Sequence, residues 1–289
     1  MTNKMIKAGY LVSYDYRYIF TSLNQIYKHV DLIVLCYDKN FKTWSGSNIS
    51  IPEEFFLEIK NLDVDNKIKF YKDEFYKKNI QPMILETEQR NKLAEFMGHG
   101  GWHIQIDADE YVYEFDKFIT FLKQNNHFLC KPHKNPVNIN VKWITLFKQD
   151  ENGFYLINPI KESCYLATNY PKYTFGRKTE AKDVFSDHFL IHQSWAREEE
   201  EIYTKITNWG HKNDFDVHAF FDVWKKLNKT NYKEYINFHP VYKNDWASLR
   251  FIEAPDLDTC IQKIKTSYKQ NDIKFKFSRK IKSILKSYF

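Results

Sequence analysis

Residues 102–110 read Trp-His-Ile-Gln-Ile-Asp-Ala-Asp-Glu, an apolar run that ends in three carboxylates. Apolar and polar residues alternate from Trp102 to Ile106, and a period of two predicts a β-strand. Asp107 and Asp109 would then project from the same face, about 7 Å apart along the chain. Such a pair can bind Mg²⁺ or Mn²⁺, which take their other ligands from water and substrate phosphates. The alternative is an acidic turn after a strand, because the Asp-x-Asp pattern is common in isolation.

The segment Pro82–Met97 predicts a helix directly before this strand. Pro82 suits the first turn of a helix, and acidic side chains at positions 86 and 88 suit its N-terminal half. Its apolar face is predicted to contain Leu85, Leu93, Phe96 and Met97. Glycines at positions 98, 100 and 101 are expected to end the helix before the strand begins.

This order of helix, glycine turn, apolar strand and acidic cluster resembles the nucleotide-sugar glycosyltransferases of the GT-A fold, especially the family 2-like enzymes. The most specific matches are Glu-Thr-Glu-Gln-Arg-Asn at 86–91 and the DxD motif Asp-Ala-Asp-Glu at 107–110. The resemblance covers about the first 115 residues well and becomes diffuse afterwards. It implies an α/β fold with a single GT-A-like, Rossmann-like domain around a mixed, mostly parallel central sheet. Residues 1–115 would form its nucleotide-sugar-binding half and residues 116–259 its acceptor half, followed by a basic amphipathic tail over 260–289.

The composition indicates a globular chain. Its 289 residues are enough for one large α/β domain or two small ones. Aromatic residues make up 18% of the chain, whereas Gly and Pro number only 8 each, a balance that excludes a disordered protein. The four cysteines lack a Cys-x-x-Cys spacing, which favours a reduced, cytoplasmic chain. No segment approaches the ~18 apolar residues of a membrane span, so we expect a soluble or peripherally attached protein.

Strand and helix patterns alternate through the first half of the chain. We predict strands at Gly9–Ser13, Asp31–Tyr37 and Lys67–Tyr71 as well as at 102–107, and a helix at Arg17–His29. The order strand, helix, strand predicts a right-handed crossover between parallel strands. Open α/β sheets bind ligands outside the carboxyl ends of their strands. The polar residues expected there are Tyr14, Asp15, Asp38 and the acidic cluster at 107–110.

The resemblance assigns donor-binding roles to three of these residues. Tyr14 and Asp15 stand where family 2 enzymes more often have Asn-Glu, and Asp38 stands where an aspartate holds the base or ribose. The Ser- and Thr-rich sequence that usually follows this aspartate is replaced by Lys-Asn-Phe-Lys-Thr-Trp-Ser-Gly at 39–46. Structural roles are the alternatives, since Asp15 could cap the next helix and Asp38 could start a turn.

The second half of the chain predicts further strands and helices. Strands are expected at Phe128–His133, Val141–Gln149 and Gly153–Asn158, and another begins at Val184. Helices are expected at Phe115–Gln124, Phe220–Leu227 and Tyr232–Phe238, and one more begins with the glutamates at 198–201 and ends at Gly210.

The resemblance also implies a metal centre. A Mn²⁺ or Mg²⁺ ion would bind at Asp107 and Asp109, with Asp107 also holding the ribose or bound water. GT-A enzymes often add a late histidine, and His192 is the candidate; a hydrogen-bonded structural histidine is the alternative. Arg197 and Lys205 would contact the diphosphate of the donor.

Three more residues have predicted roles. Arg90 resembles the basic residue that family 2-like enzymes carry on the same helix near the donor, and a surface ion pair with Glu86 or Glu88 is the alternative. An inverting transferase also needs a carboxylate base that deprotonates the acceptor hydroxyl. Glu162 and Asp187 are the candidates, and Glu162 is preferred because it lies in a polar bend after a proline.

The implied function is metal-dependent transfer of a hexosyl or N-acetylhexosaminyl group from a nucleotide-diphosphate donor, such as a UDP-sugar. The acceptor would be a glycan or a lipid-linked glycan in cell-surface glycan biosynthesis. Two other classes remain open. A metal-dependent phosphohydrolase would use similar Asp and His clusters, and a non-catalytic glycan-binding module would keep the fold and the aromatic residues.

The tail over 260–289 mixes Lys and Arg with Ile, Phe and Leu, and its positive charge exceeds the net charge of +6 of the whole chain. A basic amphipathic helix at Ile273–Phe289 would attach to an anionic membrane surface, at the inner face of the cell membrane. The alternative is a helix packed on the domain. Nucleic acid is not expected as a partner, because no nucleic-acid-binding module accompanies the tail.

Overall fold

The computed structural model describes residues 3–208, 214–242 and 245–267. Within them the chain divides into two compact units. The first unit contains residues 3–139, 165–182 and Asn208, and the second contains the other described residues. Both units combine strands with helices.

The strands are β1 (Ile6–Leu11), β2 (Leu32–Asp38), β3 (Ile68–Asp73), β4 (Trp102–Asp107), β5 (Glu110–Val112), β6 (Val137–Asp150), β7 (Gly153–Asn158), β8 (Ser163–Thr168), β9 (Tyr173–Phe175), β10 (Lys178–Thr179), β11 (Lys182–His192) and β12 (Ser248–Glu253). The helices are α1 (Ile19–Ile26), α2 (Glu53–Leu62), α3 (Pro82–Met97), α4 (Phe115–Gln124), α5 (Glu199–Asn208), α6 (Val217–Lys226) and α7 (Leu257–Ser267).

Four parallel strands form the centre of the first unit, in the order β3-β2-β1-β4. Helices α1, α2 and α3 connect these strands in turn. All six residues of β1 are buried, as are residues 33–36 of β2. Runs of buried residues without polar alternation are typical of parallel strands whose two faces are both covered.

The carboxyl ends of β1, β2 and β4 meet at one edge of this sheet, which we call the rim. Leu11 at the end of β1 is paired with Cys36 of β2 and with Asp107 of β4. Since β2 and β3 lie on one side of β1 and β4 lies on the other, the strand order reverses between β1 and β4. Open α/β sheets bind ligands at such a reversal. The fold therefore favours a ligand site on the rim beside Asp107.

Helix α3 packs closely against β1. A Cβ atom added at Gly9 would lie 2.8 Å from Leu93 Cδ2 and 2.8 Å from Met97 Sδ, and both of these side chains belong to the buried core. Only glycine leaves room for them at this position. The same helix buries two polar side chains, Gln89 and Arg90.

In the second unit, β12, β7 and β6 are neighbouring antiparallel strands, and β11 also pairs with β6. Large aromatic side chains fill its core. The ring of Phe147 lies 5.5 Å from that of Trp246 and 6.1 Å from that of Phe220, measured between centroids. Trp224 Nε1 donates a hydrogen bond to Phe147 O at 2.9 Å. Core packing therefore accounts for much of the aromatic content of this unit.

The predicted fold class, α/β with a mixed and mostly parallel central sheet, is confirmed. Four segments begin and end at the predicted residues: α3, β4, α4 and β7. The apolar face of α3 is buried as predicted except at Phe96. This side chain is 45% exposed and stacks on Tyr71, with ring centroids 4.6 Å apart.

Two predicted elements are wrong. In place of a strand at Phe128–His133, a 3₁₀ helix covers Asn126–Leu129, and Lys131 then adopts a positive φ of 55°. The helix predicted at Tyr232–Phe238 is a single 3₁₀ turn at Tyr232–Glu234. Short apolar runs do not distinguish a strand from a tight turn, which explains the first error.

The predicted tail begins within a packed helix. In α7, the side chains of Cys260, Ile261 and Ile264 are buried. The predicted membrane-surface helix at Ile273–Phe289 lies outside the described residues, as does Gly210. Across the described ranges, none of the helices has the length and apolar character needed to span a membrane.

Candidate functional site

Asp107, the last residue of β4, lies on the rim with its carboxylate between two arginines. Its Oδ1 accepts a hydrogen bond from Arg90 Nη2 at 2.8 Å, and its Oδ2 lies 3.8 Å from Arg177 Nη2. Burial opposes ionisation of this carboxyl, but the charges of Arg90 and Arg177 outweigh burial and lower its pKa to about 2. The side chain remains 30% exposed. Asp107 is therefore an oriented anion that still faces solvent.

The side chain of Arg90 is buried, and its guanidinium donates hydrogen bonds to other side chains of the protein. Nε donates to Glu86 Oε1 at 3.0 Å, and Nη1 donates to Gln105 Oε1 at 3.3 Å. Burial opposes the charge, yet Asp107 and Glu86 raise the pKa of Arg90 above its usual value. The ion pair with Glu86 agrees with the alternative interpretation of Arg90, although this pair is buried and not on the surface. A direct contact between Arg90 and a donor stays a prediction.

Arg177 is a residue of this site that sequence reasoning missed. Its guanidinium forms two parallel hydrogen bonds with Glu110, from Nη1 to Oε2 at 2.6 Å and from Nη2 to Oε1 at 2.7 Å. Nη1 also donates to Gln105 O at 3.2 Å, and Glu110 Oε2 accepts the Asp107 N–H at 2.9 Å. Glu110 is the residue of the sequence that could have indicated such a partner, because a carboxylate that becomes buried needs a cation beside it.

The segment 86–91 of α3, which carried the resemblance, also holds the hairpin of β9 and β10. Thr87 Oγ1 accepts the Gly176 N–H at 2.8 Å. Asn91 Nδ2 donates to Tyr173 O, and Asn91 Oδ1 accepts the Tyr173 N–H, both at 2.9 Å. Gly176 adopts a positive φ of 53°, a conformation that favours glycine. These bonds place Arg177, the next residue, beside the turn after β4.

Gln89 of the same segment ties α3 to the loop after β2. Its Oε1 accepts a hydrogen bond from Trp44 Nε1 at 2.7 Å, and its Nε2 donates to Cys36 Sγ at 3.5 Å. Trp44 belongs to the segment 39–46, which follows β2. This segment is therefore held against α3 by a buried amide.

Asp109 lies in the turn between β4 and β5 and is 2% exposed. With Glu86, Asp107 and Glu110 it gives this cluster four carboxylates against two guanidinium groups, a formal charge of −2. In the described part of the chain, no three His, Cys, Asp or Glu side chains are grouped as a complete metal site. A divalent cation at this cluster stays a prediction; Mg²⁺ needs only one or two carboxylates where water and substrate phosphates supply its other ligands.

Asp38, at the end of β2, is buried and organises two loops. Its Oδ1 accepts the N–H groups of Asn40 and Lys42 at 2.9 and 3.2 Å. Its Oδ2 accepts those of Phe75 and Tyr76 at 2.8 and 3.1 Å. A carboxylate has about four acceptor sites, and here all four have backbone partners. These bonds are what the turn interpretation of Asp38 predicts.

Tyr14 and Asp15 follow β1 and are partly buried. Because β1 pairs with β4, the two residues lie at the rim near the end of β4. Asp15 precedes a 3₁₀ helix at Tyr16–Tyr18, and its carbonyl oxygen accepts the Tyr18 N–H at 3.1 Å. Asp15 thus occupies the N-cap position, but its side chain makes no capping hydrogen bond there, and its contact with a donor stays a prediction.

The other predicted site residues belong to the second unit. Glu162 is partly buried and accepts hydrogen bonds from Thr145 Oγ1 at 3.1 Å and Trp246 Nε1 at 2.9 Å. His192 stacks on Trp143, with ring centroids 4.8 Å apart and planes inclined by 10°.

Three further predicted residues of the second unit differ in exposure. Asp187 is exposed on β11. Arg197 is 5% exposed, and Lys205 is 9% exposed with its Nζ 5.8 Å from the centroid of the Trp195 ring. Their predicted roles stay predictions.

Comparisons with known proteins do not assign this chain to a family. Neither a family model nor a curated protein matches the chain. Among solved structures, the chain is similar to mannose-6-phosphate isomerase from Helicobacter pylori, with 14% identity, a TM-score of 0.33, and coverage of 56% of this chain and 60% of that one. It is also similar to mannose-1-phosphate geranyltransferase from Thermus thermophilus, with 9% identity, a TM-score of 0.27, and coverage of 88% and 76%. TM-scores this low establish neither a shared fold nor a shared activity.

Proposed function

We propose that this chain is a glycosyltransferase whose first unit binds the nucleotide of a nucleotide-sugar donor at the rim. The observation that carries the proposal is the position of the Asp-Ala-Asp-Glu turn at 107–110. The turn follows β4 at the point where the strand order reverses between β1 and β4. Open α/β sheets bind nucleotides in the crevice at such a reversal.

The negative charge around this turn supports a donor that binds together with a divalent cation. The cluster has a formal charge of −2, and a diphosphate alone would be repelled by it. The carboxylates of this turn would hold a Mn²⁺ or Mg²⁺ ion, which would supply positive charge that lessens this repulsion. In this proposal Asp109 is the principal ligand, and Asp107 binds the ribose or water on the cation.

The proposed reaction breaks the bond between the anomeric carbon of the sugar and a diphosphate oxygen. A new bond forms from that carbon to an acceptor oxygen, and the nucleoside diphosphate leaves with the electron pair of the broken bond. A bound divalent ion supplies electrostatic stabilisation of this leaving group. The contribution of Arg90 is to hold Asp107 as an oriented anion.

For an inverting reaction, Glu162 is the proposed base that accepts the proton of the acceptor hydroxyl. Support comes from its two hydrogen bonds, since the Thr145 hydroxyl and the Trp246 indole fix the carboxylate without pairing it with a cation. Asp187, exposed on β11, is the second candidate. Arg197 and Lys205 are proposed as diphosphate contacts and His192 as a further metal ligand, on the resemblance alone.

Titration calorimetry tests the proposal directly. The full chain is titrated with UDP, GDP and ADP, each with and without Mn²⁺. We expect one nucleoside diphosphate to bind with Mn²⁺ and to bind much more weakly without it. If none of the three binds under either condition, the proposal is wrong. Rapid hydrolysis of a nucleotide sugar in the absence of any acceptor would instead favour a phosphohydrolase.

A further inference from the structure

The ion pair of Arg177 and Glu110 is buried, which is costly for a protein to maintain. The Glu110 side chain is 0% exposed and that of Arg177 is 9% exposed. Two charges lose their hydration in such a place, and a well-packed apolar pair of similar volume commonly serves folding as well or better. A gain in stability is therefore a weak explanation of this pair.

The bonds of the pair converge on the turn that carries Asp107 and Asp109. Before the turn, Arg177 Nη1 donates to Gln105 O at 3.2 Å. Within it, Glu110 Oε2 accepts both Arg177 Nη1 at 2.6 Å and the Asp107 N–H at 2.9 Å. Because these groups lie at both ends of the turn, the pair limits movement of the backbone that presents the two aspartates.

Arg177 reaches this place through contacts that are separate from the sheet. Its hairpin is bound to α3 by Thr87 and by the two bonds of Asn91 to Tyr173. The same helix supplies Arg90, which bonds to the side chain of Asp107. Arg90 therefore fixes the Asp107 carboxylate, and Arg177, whose Nη2 also lies 3.8 Å from Asp107 Oδ2, fixes the backbone of the turn through Glu110.

We propose that Arg177 is a positioning residue of the donor site, which acts through Glu110 to hold the turn at 107–110 in the geometry that binds a diphosphate with its divalent cation. This inference rests on the proposed function. This role requires no contact between Arg177 and the donor. Its planar fork is needed because it bridges both oxygens of Glu110 and a backbone carbonyl at once, which a lysine ammonium cannot do in the same way.

The test uses a double variant, Glu110→Gln with Arg177→Met. Arg177→Met alone would leave a buried carboxylate unpaired and is expected to lower the melting temperature. The double variant removes both charges, and the new amide oxygen can still accept the Asp107 N–H. The matched control is Lys77→Met with Glu88→Gln, which removes an exposed ion pair at α3 with the same change in charge.

We expect the Glu110→Gln, Arg177→Met variant to melt close to the wild-type temperature and to bind UDP with Mn²⁺ about 10- to 100-fold more weakly, the loss typical of residues that orient metal ligands. The control should bind like the wild type. Arg177→Lys should also bind weakly, although it retains the charge. If the ion pair only stabilised the fold, the double variant would melt at a lower temperature, and its affinity for UDP with Mn²⁺ would not differ from that of the control.

Three results would overturn the inference. If the wild type binds UDP with Mn²⁺ and the double variant binds it equally well, Arg177 does not position the site and the proposed function stands. If the double variant melts far below the wild type, the ion pair serves the fold. If the wild type binds no nucleoside diphosphate with Mn²⁺, the proposed function and this inference are both wrong.

Discussion

Asn91 on α3 and Tyr173 on β9 exchange two hydrogen bonds of 2.9 Å, one from the Asn91 amide to Tyr173 O and one from the Tyr173 N–H to Asn91 Oδ1. The side-chain amide thus bonds to a strand residue as the backbone of a neighbouring strand would. Tyr173 is buried, so its backbone groups need these partners. This one side chain connects the helix that orients Asp107 with the hairpin that carries Arg177.

Replacing Asn91 with Ala should loosen that hairpin. Two buried backbone groups would lose their partners, at about 1–3 kcal/mol for each unsatisfied group. Trypsin cleaves after Arg177 and Lys178, so limited proteolysis should cut the variant faster at these sites. Asn125→Ala is the control, because Asn125 donates to Phe121 O at the end of α4, outside the hairpin. Equal cleavage of the two variants would contradict the prediction.

Asp109→Asn should abolish the Mn²⁺-dependent part of UDP binding. Asparagine has nearly the same shape, so the fold should persist while the anionic ligand is lost. Asp107→Asn should weaken binding less completely, because Asp107 is proposed to act on the ribose or bound water. Calorimetry of UDP with Mn²⁺ measures both effects, and unchanged affinity in the Asp109 variant would remove the metal assignment.

Glu162→Gln should lower the rate of sugar transfer about 10²- to 10⁴-fold if Glu162 is the base. In the variant, the amide oxygen can accept from the Trp246 indole and the amide NH2 can donate to the Thr145 hydroxyl oxygen, so UDP affinity and melting temperature should stay near the wild-type values. Asp187→Asn provides the comparison. A larger rate loss in the Asp187 variant would transfer the role to that residue.

His192→Ala should weaken binding of UDP with Mn²⁺ about 10- to 100-fold if His192 contributes to the metal centre. His188, four residues earlier on β11, is the matched control. Calorimetry distinguishes the two variants. If His188→Ala has the larger effect, the wrong histidine was chosen, and if neither has an effect, the structural interpretation of His192 is correct.

His103, buried on β4 opposite Lys7 of β1, should make the folded state sensitive to acid. Burial, with a smaller contribution from the charge of Lys7, lowers its pKa to about 3. In the unfolded chain this pKa is about 6.5, so between pH 6.5 and 3 the unfolded state binds the extra proton. The free energy of unfolding should therefore fall as the pH falls, by about 2 kcal/mol at pH 5 relative to pH 7 and above.

Urea unfolding at pH 7 and pH 5 measures this contribution. In His103→Gln the decrease between the two pH values should be smaller by about 2 kcal/mol, whatever the absolute stability of the variant. His133→Gln, at an exposed position, should leave the decrease unchanged. An equal pH dependence in the wild type and the His103 variant would show that His103 is not the acid-sensitive group.

Local patterns were sufficient to predict the elements around the site. Pro82 and Gly98 delimit α3, and the alternation from Trp102 to Ile106 predicts β4. In both cases the signal lies within the element itself. The rim could be predicted as well, since alternating strands and helices indicate parallel strands whose carboxyl ends lie at one edge of the sheet.

The partners within the site could not be predicted in this way. Arg177 and Glu110 are 67 residues apart, and no periodicity relates them. Asp38 looks the same in the sequence whether it binds a ribose or four backbone N–H groups, because its partners at Phe75 and Tyr76 come from the loop after β3. Burial of Arg90 was also missed, because a polar side chain on a helix is normally expected at the surface.

Gly9 is buried in β1, out of reach of a ligand, yet the packing at this position bears on the rim. Its missing side chain lets Leu93 and Met97 approach β1, and Arg90 lies one turn of α3 before Leu93. An Ala side chain here would require the Leu93 and Met97 side chains to shift, because its Cβ would lie 2.8 Å from an atom of each. Since both belong to the helix that carries Arg90, position 9 is coupled to the rim through packing and not through contact with a ligand.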